Sequence, residues 1–294
     1  DMMVRRNGEC VNKIHFRSVH VHLYMTGHKK VLPAKKIKLN ANYVNTGLTE
    51  AYSDTGNLII FRKEEWYKTL IHELLHLFGA DQHTLLDKRN KSTLLNMFNV
   101  QSHMRYGESY VEFWANVLQS AFLSYYQNME NYHAFQVQFE TYLHLELQFS
   151  LYQANKILNY MGVSYEDLYK EVNGGKEKDK LLMKKTKSFQ EETNVFCYYI
   201  LKTILLYNSN EFFIWCIQNN ENIFKLKKED SMYTFFQMYY NNPSFVKTMR
   251  MYMEIHRKHT TNTLYSLQVK DVKKTFTKNT LRMTILDLPN EDIL

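Results

Sequence analysis

Nine glycines and three prolines are all that punctuate this chain of 294 residues. Sandwiches, collagen-like chains and Pro/Gly-rich disordered proteins draw on turn-formers far more heavily, since even average usage is about 7% Gly and 5% Pro. Long helices do not. Apolar residues make up 45% of the chain and aromatics 15%, ample material for a buried core. The scarcity of turn-formers therefore predicts a helix-rich folded protein.

The formal net charge of +7 invites a nucleic-acid reading, and composition argues against it. Most of the 37 basic residues are Lys, and Arg, the preferred reader of bases and phosphates, is scarce. Joint excess of Lys, Asn and Tyr is what A/T-rich codons produce, and it suits a large DNA virus or an A/T-rich microbe. No nucleic-acid partner is expected. The three cysteines, Cys10, Cys197 and Cys216, form no CxxC pair, which predicts no disulfide framework and a reducing, cytoplasmic-type compartment. The most apolar stretch, Val195 to Gln218, is broken by Lys202, Asn208, Asn210 and Glu211, so no membrane span is expected. Oligomeric state is not legible.

Along the chain, residues 14–24, 42–52 and 57–61 read as strands, from their alternation and β-branched content. Glu64 and Glu65 suit the positive end of a helix, and Leu70, Ile71, Leu74, Leu75 and Phe78 then recur at helical spacing up to Gly79. A second helix is predicted from Glu108 to Tyr125. Further helices are predicted over 133–161, 164–172, 188–207, 210–218 and 231–258, with a short strand at 280–288. The fold class is thus α+β and helix-rich. The division is a core at 1–130 carrying the few strands and a helical region at 131–294 packed on it.

Within the first of these helices, residues 72–76 read His72-Glu73-Leu74-Leu75-His76, an HExxH motif. Positions four apart on a helix share a face, so two imidazoles can converge on one zinc ion. Glu73 then sits beside the metal, where a carboxylate can take a proton from water. A chain of this composition contains the motif by chance about 0.03 times, which favours function over accident. Zinc in a catalytic site requires a third protein ligand and an open position.

Two solutions for that ligand are visible. The stretch Tyr106-Gly107-Glu108-Ser109-Tyr110-Val111-Glu112-Phe113-Trp114-Ala115-Asn116 resembles the glutamate helix of gluzincin metallopeptidases, and in particular the EFFAE stretch of the lethal-factor group. That resemblance implies a zincin-like core with Glu112 as third ligand. It places Asn116 where an acidic residue hydrogen-bonds a zinc-binding histidine, and Tyr106 as the phenol that stabilises the tetrahedral intermediate. Glu108, one turn before Glu112, is the fallback ligand. The alternative is metzincin-like: HELLHLFG matches HExxHxxG, and Ser102–Gly107 is similar to a Met-turn. The third ligand would then fall at Gln82, with Asp81 and His83 one place to either side.

Both resemblances imply a zinc metallopeptidase acting on a protein or peptide, with one Zn2+ per chain and Glu73 as general base. In zincins the strand beside the active-site helix binds substrate in extended form, which assigns Asn45, Thr46 and Gly47 to substrate binding. An inactive zincin-like scaffold is the competing class. The retained Glu73 speaks against it, because a scaffold has no use for the base.

Overall fold

The computed structural model describes residues 4–6, 9–11, 18–50, 56–81, 97–98, 100, 102, 105–169, 189–226, 230–261 and 279–287. A short antiparallel pair, β1 (Val4–Arg6) and β2 (Glu9–Val11), precedes a three-stranded sheet. That sheet comprises β3 (Val19–Thr26), β4 (Gly47–Glu50) and β5 (Gly56–Arg62) in the order β3-β5-β4. β5 runs parallel to β3 and antiparallel to β4. Strict alternation along β5 buries Gly56, Leu58, Ile60 and Arg62, the period-two signature of a strand with one covered face.

Where a strand was expected over 42–52, the chain first makes one helical turn, α1 (Ala41–Val44). The side chain of Asn40 accepts from Asn42 N at 3.0 Å and caps it, so the strand starts only at Gly47. A glycine is required there. A Cβ at Gly47 would lie 2.8 Å from the Ile59 carbonyl oxygen and 2.9 Å from Thr69 Cγ2, so only glycine lets β4 approach the next helix this closely.

That helix is α2 (Trp66–Leu77), followed by α3 (Tyr106–Gln127) and α4 (Tyr132–Met161). α4 is capped by Asn131 and stopped by Gly162, whose φ of 78° is the left-handed geometry of a helix end. The predicted helix at 188–207 begins later, as a π-helical turn at Phe196–Leu201 that continues into α5 (Lys202–Tyr207). Glu191 accepts from Phe196 N at 2.7 Å there, the helix-start use of a carboxylate. α6 (Ser209–Asn219) and the small pair β6 (Asn220–Asn222) and β7 (Lys225–Leu226) follow.

The helix expected over 231–258 is two, α7 (Asp230–Tyr239) and α8 (Pro243–Thr261). Pro243 donates no N–H and opens a helix well, while Asn242 Oδ1 accepts from Ser244 N at 2.9 Å. Of the predicted 164–172 helix, the described part holds one 3-10 turn, Glu166–Leu168. Residues 280–287 form no strand: Thr280 bridges to Val31, and the chain bends at Met283 and Ile285.

The helix-rich α+β class expected from the sequence is what the described residues adopt. One hydrophobic core crosses residue 130, where Phe113 and Trp114 on α3 pack against Phe212 and Phe213 of α6. Among the described residues no helix is long and apolar enough to cross a membrane. Cys197 and Cys216 are buried free thiols.

Candidate metal centre

An amphipathic helix ordinarily turns its apolar stripe inward. α2 instead buries Lys68, Thr69, His72 and Glu73 beside Ile71 and Leu77, and leaves Leu74 and Leu75 half-buried. Buried polar side chains need partners, and α3 supplies them, crossing α2 with Glu108 and Glu112 on the shared face.

The Nε2 atoms of His72 and His76 lie 3.1 Å apart. Glu108 Oε2 stands 3.2 Å from His76 Nε2 and 3.6 Å from His72 Nε2. A tetrahedral zinc site with bonds of about 2.0–2.1 Å has ligand-to-ligand edges of about 3.3 Å, so these atoms have the spacing of three of its corners. Among the described residues they form the one group of His, Cys, Asp or Glu side chains with that convergence.

Each donor is held from behind. Asp81 Oδ2 lies 3.0 Å from His76 Nδ1. Glu112 Oε2 lies 2.7 Å from His72 Nδ1, a close ion-pair contact set off the line of the ring N–H. A proton kept at each Nδ1 by these carboxylates leaves each Nε2 lone pair available to a metal. The Tyr198 hydroxyl donates to Glu108 Oε2 at 3.0 Å, and Asn194 Nδ2 donates to its Oε1 at 3.1 Å.

The electrostatics fit the same donor set. Burial opposes charge on His72, but the neighbouring Glu108 and Glu112 carboxylates prevail and raise its pKa. Burial opposes charge on His76 too, and Asp81 and Glu108 lift it well above the usual value. Against the same burial, His76 and His72 hold the Glu108 carboxyl below its ordinary range, and Lys68 and His72 do so for Glu112. Two protonated imidazoles among ionised carboxylates can exchange two protons for one dication, so these residues suit zinc.

Glu73 is buried beside this group, and burial raises its carboxyl above the ordinary pKa, with His72 and His76 pulling the other way. It lines a cleft together with Asn45, Thr46 and Gly47, and His72, Tyr198, Glu112 and Met283 also line it. β4 lies at the end of the sheet, so its outer edge has no strand partner among the described residues.

Several expected placements differ. Glu112 does not join the two Nε2 atoms; its Oε1 pairs with Lys68 Nζ and its Oε2 faces the far nitrogen of His72. Glu108 takes the inner place instead. The reason is geometric and electrostatic: α3 runs deep enough past α2 that Glu112 lies level with the buried Lys68, one turn before His72. Asn116 lies away from both histidines and donates to Glu146 Oε2 at 2.5 Å. Tyr106 is 1% exposed within the hydrophobic core and is absent from the cleft lining, because the first turn of α3 is buried on all but one side. Asp81 meets Nδ1 of His76 rather than Nε2. His83 lies outside the described residues.

Sequence reasoning missed Tyr198, Asn194 and Lys68. Tyr198 is one of 22 tyrosines in an apolar run, with no local signal. The π-helical turn that carries it is a geometry often found at functional sites, but it is visible only in three dimensions.

No protein-family model and no solved structure matches this chain. The chain is similar to "Uncharacterized protein R210" of Acanthamoeba polyphaga mimivirus, 27% identical over 166 residues. The match covers 56% of this chain and 39% of that relative's length.

Proposed function

We propose that this chain is a zinc-dependent peptidase that hydrolyses peptide bonds in a protein or peptide substrate. One observation carries the reading: His72 Nε2, His76 Nε2 and Glu108 Oε2 converge to within 3.1–3.6 Å of one another beside a buried Glu73. His72, His76 and Glu108 would hold the ion, which when bound supplies a Lewis acid that polarises a carbonyl and acidifies water.

Glu73 acts as the general base. Its raised pKa brings it closer to the range in which a carboxylate both takes a proton from water and returns it to the departing amine nitrogen. Tyr198 keeps its proton, because burial and the neighbouring Glu108 push the phenol well above its ordinary pKa. It therefore serves as a neutral donor that orients Glu108 through its one O–H. The outer edge of β4, approached through Asn45 and Thr46, pairs with the substrate backbone as an added strand. α3, α4 and the helices after them hold Glu108 and Tyr198 against α2.

Metal analysis after dialysis is expected to give one equivalent of zinc. Glu73→Gln should keep that zinc and lose hydrolysis of a mixed peptide library. If wild type and Glu73→Gln treat the library alike, the peptidase reading fails.

A further inference from the structure

Residues 279–287 form an irregular strap whose peptide groups are taken up mainly by buried side chains. Two backbone bonds start it, Leu32 N to Asn279 O at 2.6 Å and Leu281 N to Lys30 O at 3.0 Å. Beyond them, Glu65 Oε1 accepts from Met283 N at 2.5 Å and Thr284 N at 2.7 Å. Glu146 Oε1 accepts from Ile285 N at 3.1 Å and Leu286 N at 3.3 Å, and also from the Thr284 hydroxyl. Lys202 Nζ donates to Met283 O at 2.8 Å.

The residues that hold the strap also belong to the elements that build the candidate centre. Glu65 immediately precedes α2 and has φ of 60°, the left-handed region that a non-glycine residue enters only when its surroundings hold it there. Its carboxylate does not cap α2; it is shared between Lys30 and the strap. Glu146 on α4 receives Asn116, one turn after Glu112 on α3. Met283 places its Sδ 3.9 Å from Lys68 Nζ, and Lys68 in turn pairs with the Glu112 that faces His72. Withdrawing the strap would leave Glu65, Glu146 and Lys202 short of buried partners, so it sits either seated or released, with little between.

We propose that the strap and the metal site are thermodynamically coupled: seating residues 281–286 positions α2 and α3 so that His72, His76 and Glu108 converge, with Glu65 and Glu146 as positioning residues. The inference rests on reading those three residues as a zinc site. By linkage, zinc must hold the strap by the same free energy with which the strap favours zinc.

Hydrogen exchange of this 294-residue chain, with and without zinc, tests the coupling. Zinc is expected to slow exchange at Met283–Leu286 about tenfold more than in α8, which lies outside the site. Thr284→Val and Glu146→Gln, with helical content unchanged, are expected to bind zinc about tenfold more weakly, and Thr284→Ser to restore it. Equal slowing in strap and α8, or wild-type zinc affinity in Thr284→Val, overturns the coupling alone. A wild-type chain that holds no zinc overturns the metal reading and the coupling with it.

Discussion

Glu108 and Glu112, one helical turn apart on α3, address opposite nitrogens of the same imidazole: Glu108 Oε2 lies 3.6 Å from His72 Nε2, and Glu112 Oε2 lies 2.7 Å from His72 Nδ1. One carboxylate lies where it could share a metal with the ring, and the other lies beside the far nitrogen, where its charge favours a proton. Lys68 makes the division possible by neutralising Glu112 in the interior.

The two glutamates should therefore differ in their effect on zinc. Glu108→Gln is expected to weaken zinc binding by more than about a hundredfold, and Glu112→Gln by about ten- to a hundredfold. Because Glu112→Gln also leaves Lys68 buried without its counter-charge, Lys68→Met with Glu112→Gln is the matched control. Competition titration against a zinc chelator gives the ranking, and the reverse order would return Glu112 to the ligand position.

The two tyrosines should separate in the same way. Tyr198→Phe removes the O–H that holds Glu108, and a fall in kcat of about ten- to a hundredfold is expected with KM nearly constant. Tyr106→Phe, within the core, is expected to move the melting temperature and leave kcat in place. Steady-state kinetics on one cleaved peptide decides between them.

Protonation sets opposite trends with and without metal. In the metal-free chain His72 and His76 have raised pKa values, so these two rings bind more protons in the folded state than in the unfolded one above about pH 6.5. Stability then falls as pH rises through those raised values. Burial pushes Glu146 up to about 6, which adds a loss of the same sign between its ordinary pKa and pH 6. Zinc affinity should climb over the histidine range, because the ligands must lose their protons. Burial holds Lys156 at about 7 and Lys202 at about 8, which adds a rise of opposite sign above those values, so the histidine contribution is read as the difference between wild type and His76→Gln. Denaturant midpoints of the two metal-free proteins and zinc titrations from pH 5 to 9 check both slopes; a difference that grows with pH contradicts the assignment.

At the sheet edge, Gly47→Ala forces a Cβ into the Ile59 carbonyl and Thr69, so β4 must move away from α2. A loss of about 1–3 kcal/mol is expected. KM should also rise, since the same strand carries the substrate edge. Thermal melting and KM measured together check the two consequences; unchanged values for both would remove β4 from the binding edge.

The HExxH spacing and the poverty of Gly and Pro determine much by themselves. Residues four apart on one helix must share a face, so His72 and His76 converge wherever that helix forms. A chain with so few turn-formers must fold mainly into helices. The resemblance to zincins placed the Asn45–Gly47 stretch beside the motif, and these residues line the cleft with His72 and Glu73. Tertiary structure decided the rest. Which of Glu108 and Glu112 meets the two Nε2 atoms depends on how deep α3 crosses α2, and one turn of helix separates the answers. Tyr198 and the strap reach the site from 86 or more positions beyond Glu112, and no local pattern records contacts at that separation. Sequence periodicity specifies which face a residue occupies; only packing specifies what that face meets.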